Sequence, residues 1–355
     1  MSKFVPGVEL SRALYVEHVA GLLGGVSHAA ALLGEGSEVL GFDTERSTDH
    51  AWGPRLHVFV AAEDVDETRS RIDGGLPDDV LGWPTRVYRW QTDEVAHHVE
   101  VEPLGPWLER QLGFDPRNGV TTAQWLATPQ QSLLHVTAGP VFADADGELS
   151  AVRERLSWYP KDVWLWAMAA AWQRVQDNEH VVGRTAETGD DLGNRLVVAK
   201  LVGHLTSLCF LQEKRYAPYV KWVGAAFARL DAAAEIGPSF DRALSSPDGV
   251  EREDAVASAL EAVARRHNDL GLTEHLDPAT GPFNVKINDA VRPFRVLNAN
   301  RFVNACSAAI EDDQVRDVAP VGAIDQLLDP NDLITNFTDW PRELEAVYAR
   351  KLGES

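Results

Sequence analysis

The run Leu33-Gly34-Glu35-Gly36-Ser37 ends a short apolar stretch in a tight turn, and it is the first place in the chain where residue types suit chemistry. Glycine lets a backbone approach a ligand closely, and a serine hydroxyl beside N–H groups at a helix start can donate to phosphate oxygens. Carboxylates follow at Asp43, Asp49 and, on a later segment, Glu100. A second group, Lys214, Arg215 and Lys221, concentrates positive charge in an otherwise acidic chain. There lysine can meet phosphate oxygens as a point charge and arginine as a planar fork.

Each feature also has a plainer reading. Gly and Ser punctuate loops, and Asp49 can close an Asx-turn over the residues that follow it. Glu100 can be a solvated strand residue. Tyr216, Tyr219 and Trp222 at helical spacing suit interhelical packing, while Lys214, Arg215 and Lys221 suit a helix end or surface ion pairs. Glu213 is either a base or an ion-pair partner. Trp158, Trp164, Trp166 and Trp172 belong in a bundle core with their indole N–H groups paired. His97 and His98 point to opposite faces of a strand, which makes them a poor metal pair.

The elements that must position these residues follow from periodicity. A helix is expected over 8–23, a strand over 29–33, a second strand over 55–60 with Leu56, Val58 and Val60 on one face, and a helix over 63–72 stopped by Gly74-Gly75. Strands at 85–90 and 96–102 flank a turn at 91–93, and alternation puts His98 and Glu100 on one face and His97, Val99 and Val101 on the other. From Pro103 onward strand signals fade. Helices are expected over 147–158, 161–176, 190–216, 217–234 and 253–270, with loops at 237–249 and 276–282. The fold class is therefore α+β: a small mixed-sheet domain, residues 1–145, followed by a larger helical-bundle domain, residues 146–355.

The sequence from Gly34 through Asp43, Ser47-Thr48-Asp49-His50 and Ala51-Trp52-Gly53-Pro54-Arg55 resembles the signature of the nucleotidyltransferase superfamily. In that signature a Gly-Ser pair ends the first strand and an aspartate pair follows a short spacer. The resemblance implies that Gly36 and Ser37 hold a triphosphate, that Asp49 ligates Mg²⁺, and that Glu100 is the third carboxylate, assisting the metal or deprotonating the acceptor hydroxyl. Where the superfamily places its second aspartate, this chain has Ala51. Either Asp43, His50 or another carboxylate substitutes, or the domain is degenerate and only binds a nucleotide or a partner.

More narrowly, the chain resembles an uncharacterised nucleotidyltransferase-like family known only as a domain of unknown function. The carriers are Trp52-Gly53-Pro54-Arg55, Gly183-Arg184, Gly189-Asp190-Asp191-Leu192-Gly193, Glu213-Lys214-Arg215-Tyr216-Ala217-Pro218-Tyr219, Lys221-Trp222, Arg292-Pro293-Phe294 and Gly322-Ala323-Ile324-Asp325-Gln326. By analogy with two-domain enzymes that modify antibiotics, Lys214, Arg215 and Lys221 would meet the nucleotide phosphates. The implied reaction transfers an NMP group from ATP or another NTP to a hydroxyl of a small molecule or protein. A third reading is a helical interaction protein that carries a relic α/β domain.

Composition bounds these readings. The chain has 355 residues, 45% hydrophobic and 25% charged, which is enough for two buried cores. A formal charge of -21 argues against generic nucleic-acid binding but leaves room for a small nucleotide held with a metal ion. Two cysteines, Cys209 and Cys306, give neither a disulfide framework nor a zinc site. The sequence shows no secretory leader and no run of apolar residues long enough to span a bilayer, so the expectation is a cytoplasmic protein without membrane contact. No Ser-His-Asp set or Walker-type loop supports a hydrolase or P-loop reading.

Overall fold

The computed structural model describes residues 3–49, 52–89, 93–285, 290–328 and 332–354. The protein is α+β, and the chain forms two compact units, each assembled from separate stretches. The first comprises Met1–Val120, Pro129–Ser157 and Asp332–Arg342; the second comprises Thr121–Thr128, Trp158–Asn331 and Glu343–Ser355.

In the first unit the opening helix, Gly7–Ala13, runs through a π-helical stretch, Leu14–Val19, into Ala20–Leu22. Strands β1 (Ala29–Ala31), β2 (Arg55–Phe59), β3 (Asp79–Val80), β4 (Trp83–Pro84), β5 (Arg86–Arg89), β6 (Glu94–Glu102) and β7 (Val141–Asp144) follow. The two short strands β3 and β4 pair with each other, and the remaining five form one sheet in the order β5-β6-β2-β1-β7. Antiparallel β1 sets Ala31 opposite His57, while parallel β6 sets Val99 opposite Leu56 and Glu100 opposite His57.

Alternation then sorts the two faces. Leu56, Val58, Val99 and Val101 join Leu14, Val19, Leu23 and Ile72 in one apolar core beneath the opening helix and the helix Val65–Gly75. Arg55, His57, His98 and Glu100 are thereby sent to the opposite face, as the alternation of the sequence anticipates. Strand β7 is an addition. Its four residues, Val-Phe-Ala-Asp, are too few for a clear period-2 signal, and pairing with β1 supplies what the local sequence does not.

The second unit is led by the helix Lys161–Glu187, which is longer than its expected span, packed against Asp191–Gln212. Asp190 caps the latter, its Oδ1 accepting from Gly193 N at 2.8 Å. Trp164, Trp166 and Trp172 are buried and their indoles donate to Leu211 O, Val318 O and His267 Nδ1 at 2.8, 3.0 and 3.2 Å. Trp172 also stacks on Phe302 at 4.5 Å.

Several expectations are corrected here. The helix expected over 217–234 is two, Val220–Phe227 and Ala232–Ser245, and the second takes up most of the supposed loop at 237–249, leaving only residues 246–248 between it and the next helix. Pro238 misleads in that segment. It sits inside the helix, where burial of Ile236, Phe240 and Ala243 outweighs the lost backbone hydrogen bond. Strands β8 (Gly281–Val285) and β9 (Ala290–Val296) form a hairpin among helices. A Cβ on Gly183 would lie 2.1 Å from Phe294 Cγ, so that glycine admits the hairpin's aromatic ring. The helix Asp191–Gln212 is also long and apolar enough to cross a membrane, contrary to the reading that no segment is, although half of that window is buried within the unit. Buried apolar helices of protein cores share this composition.

Candidate functional site

The candidate site of the first unit begins where β1 ends. Leu32 N donates to Pro140 O at 3.0 Å and Gly34 N to His135 O at 2.8 Å, so the strand's exit is tied to the helix Gln130–Thr137 and the residues after it. The turn then passes through Gly36 at φ +133°, a conformation that L side chains rarely adopt. A Cβ at Gly36 would lie 2.6 Å from either oxygen of the Glu38 carboxylate. The room left by the missing side chain is therefore filled by Glu38, and this glycine accommodates a buried acid of its own chain.

Glu38 is only 2% exposed and pairs with Arg55 Nη1 at 3.0 Å. Arg55 Nη2 donates to Leu33 O at 2.9 Å and to Glu35 O. One guanidinium at the start of β2 thus grips both the backbone of the turn and the acid packed against it. Removal of either partner would strand a desolvated charge, which is why such pairs hold local geometry firmly.

Ser37 Oγ donates to Ser47 Oγ at 3.2 Å, and Phe42 N donates to Ser37 O at 2.8 Å. The first bond joins the glycine-serine turn to the short 3₁₀ helix Glu45–Asp49. Asp49 closes that helix and lies with Glu45, Arg46 and Thr48 around an open depression of about 430 Å³. Asp43 Oδ2 accepts from Gly7 N at 2.7 Å and from Trp52 Nε1 at 3.1 Å, which commits the oxygen to anchoring the opening helix. His50 and Ala51 lie outside the described residues.

On the sheet, His57 stands between the turn and Glu100. A Cβ on Gly34 would be 3.7 Å from His57 Cε1, and Glu100, exposed on β6, is the register partner of His57. The His57 ring packs on Phe59 and against Trp107, and its buried Nδ1 makes no hydrogen bond with the described residues. Burial, with Arg55 and Arg110 nearby, lowers its pKa to about 3. His135 is lowered to about 4 by burial and by Arg55. Both imidazoles are neutral at physiological pH.

Among the described residues, no group of three or more His, Cys, Asp and Glu side chains is gathered to hold a metal ion. Asp49 is an exposed residue whose carboxylate oxygens are hard donors of the kind magnesium takes. Magnesium is commonly held by one or two carboxylates plus substrate phosphates, so the donors present suit an ion that arrives with a polyphosphate better than a resident one.

The basic residues expected to meet phosphates belong to the second unit. Lys214, at φ +52°, lays its ammonium over Trp164 at 4.8 Å, and Lys221 lies over Trp222 at 4.9 Å. Arg215 is exposed, and its N–H donates to Phe210 O at 3.0 Å to close the preceding helix. Glu213 accepts from Asp231 N, Ala232 N and Arg266 Nη2 at 2.9, 2.7 and 2.7 Å. Of the two readings the sequence left open for Glu213, the ion-pair partner is the one the structure contains, and the residue also caps a helix.

Sequence reasoning passed over Glu38, His57 and His135 as site residues. Glu38 adjoins Ser37 in sequence, but the space it fills beside Gly36 depends on that glycine's positive φ, which the sequence does not show. His135 carries no signal in the sequence, because it reaches the turn only through the tertiary fold.

No curated protein matches the chain. Among solved structures, it is similar to a nucleotidyltransferase-like protein from Exiguobacterium sibiricum 255-15, at 14% identity over 78% of this chain and 82% of that one, with a TM-score of 0.31. So slight a likeness carries no argument. Residues 125–223 match the model of a family described as a domain of unknown function (DUF4037).

Proposed function

We propose that the protein is a nucleotidyltransferase that binds ATP or another NTP at the Ser37–Ser47 link and transfers the NMP group to a hydroxyl of a small molecule or protein. The observation that carries this reading is the Ser37 Oγ to Ser47 Oγ hydrogen bond, which joins the glycine-serine turn to the segment ending in Asp49. In the proposed reaction the acceptor oxygen bonds to the α-phosphorus, the bridging P–O bond to the β-phosphate breaks, and pyrophosphate leaves. Glu100, exposed beside His57, is the proposed recipient of the hydroxyl proton. Mg²⁺, held by Asp49 and Glu100 together with the phosphates, would neutralise charge on the leaving group.

The test is incubation of the full chain with labelled NTP, Mg²⁺ and a panel of acceptors. Pyrophosphate release with label transfer, lost in Asp49→Ala, is the expected outcome. Its absence across diverse acceptors counts against the reading.

Two observations favour a second reading, a degenerate protein that binds nucleotide or a partner and regulates. Ala51 replaces the second acid of the signature, and Glu38 occupies the space beside Gly36. Calorimetry separates the two, because nucleotide affinity indifferent to Mg²⁺ and to Asp49→Ala belongs to the second.

A further inference from the structure

The second unit holds a cavity of about 330 Å³ that nothing in the proposed transfer reaction uses. It lies between the helices Lys161–Glu187 and Asp191–Gln212 and is closed by the short helix Ile324–Leu327 with Leu328. Lys200, Gly203, His204 and Ser207 all line it, at the i, i+3, i+4 and i+7 spacing of one helical face. That face points three polar side chains and one bare backbone position into the space.

The polar groups divide into fixed and available ones. Arg174 is fixed. Its Nη1 donates to Ala170 O at 3.2 Å, and its Nη2 donates to Val321 O at 3.1 Å and to Gln326 O. Lys200 is exposed and makes no ion pair among the described residues. His204 is half-buried, and its Nε2 is shut away from solvent without a hydrogen-bond partner among the described residues.

Charges from all three walls bear on this histidine. Arg174 and Lys200 disfavour its protonation, Asp177 favours it, and Asp325 lies on the cavity wall opposite. Burial is the largest effect, and together these lower its pKa to about 4. Neutral His204 can thus offer one N–H or one lone pair, beside the fixed cation Arg174 and the exposed cation Lys200. Ala171, Leu327 and Leu328 supply an apolar wall, and among the described residues nothing lies within 4 Å of where a Cβ on Gly203 would project.

We infer that this cavity is a binding site for a small organic anion, with its oxyanion head between Lys200 and His204 and its apolar body against Leu327 and Leu328. The volume fits a ligand of small-metabolite size, and the mixture of apolar wall and few convergent polar groups is that of ligand pockets generally. The head group is a phosphate monoester or a carboxylate, since both present the acceptor oxygens that an ammonium and an imidazole N–H require. This site does not depend on the reading of the first unit.

The test uses the full chain and three probes sharing one ring: phenyl phosphate, benzoate and benzyl alcohol. Titration is followed by calorimetry and by the imidazole ¹⁵N shifts of His204. Binding of either anion supports the site, and which of the two binds identifies the head group. Lys200→Gln, an exposed substitution, is expected to weaken anion binding about tenfold. Gly203→Leu, which projects into the open mouth, is expected to abolish it, with circular dichroism confirming the fold. Anion binding is also expected to raise the His204 pKa. Benzyl alcohol binding as tightly as the anions, failure of both anions to bind, or equal anion affinity in wild type and Lys200→Gln would overturn the proposal.

Discussion

Arg55 and Glu38 form a 3.0 Å ion pair against the turn that Gly36 and Ser37 make, and the same guanidinium holds two carbonyls of that turn. The side chains are 16% and 2% exposed, so the pair is largely out of water. The candidate site is therefore set on a structural pin, and its weak points can be named.

Arg55→Gln or Glu38→Gln should each destabilise the protein by about 3 kcal/mol or more, because each leaves a buried group without its partner. Urea denaturation would measure it. The double variant should recover part of the loss. Single variants with unchanged midpoints would show that the pair does not hold the turn.

Gly36→Ala should cost upwards of ~1 kcal/mol, since it combines a positive φ with a methyl driven onto the Glu38 carboxylate. Glu38→Ala in the same chain removes the collision but not the backbone strain. The expected result is partial rescue of the melting temperature.

Acid lability should come from four imidazoles. The pKa of His57 is lowered to about 3, and those of His135, His204 and His267 to about 4, in each case chiefly by burial. Below pH 6.5 the unfolded chain takes up protons that the folded chain refuses, so stability falls as pH drops from about 6.5 toward 4. Glu179 acts in the opposite sense. Burial raises it to about 7 despite its bonds from Leu297 N and Ala299 N, so the folded chain holds a proton there that the unfolded chain has lost above its ordinary value of 4.5. Its contribution declines as pH rises from about 4.5 to 7. Four groups outweigh one, and the urea midpoint should fall on acidification from pH 7 to 5. It should fall more steeply in Glu179→Gln, and a flat profile in both proteins would refute the assignment.

Ser37→Ala should weaken nucleotide binding about tenfold if the hydroxyl donates to a phosphate, while leaving the fold intact, since its bond to Ser47 is partly exposed. Calorimetry with a non-hydrolysable NTP reads the first and thermal melting the second. An unchanged affinity removes the turn from the site.

Trp172→Ala should cost roughly 3–5 kcal/mol, the usual range for deleting a large aromatic from a packed core. Trp172 is fully buried, stacks on Phe302 and donates to His267, so both partners lose contacts.

What the sequence by itself determined was local. Period-2 alternation at Arg55–Phe59 and in β6 decided which residues face the core and which share a face with Glu100, because side-chain direction in a strand is fixed by the pleat. Trp164, Trp166 and Trp172 of the Lys161–Glu187 helix announced a bundle core with paired indoles, whereas Trp158, expected to behave alike, is half-buried and its indole N–H makes no hydrogen bond among the described residues. The spacing from Ser37 to Asp49 was legible as a candidate, and so was the concentration of charge at Lys214, Arg215 and Lys221. Only the tertiary structure decided the rest. Arg55 reaches back across twenty residues to Glu35, and His135 approaches the turn from a helix a hundred residues further on. Pro238 stays helical because a buried face outweighs one lost hydrogen bond, and Glu213 caps a helix instead of serving as a base. Each depends on free energy gained between segments distant in sequence, and no local period or propensity encodes which segments will meet.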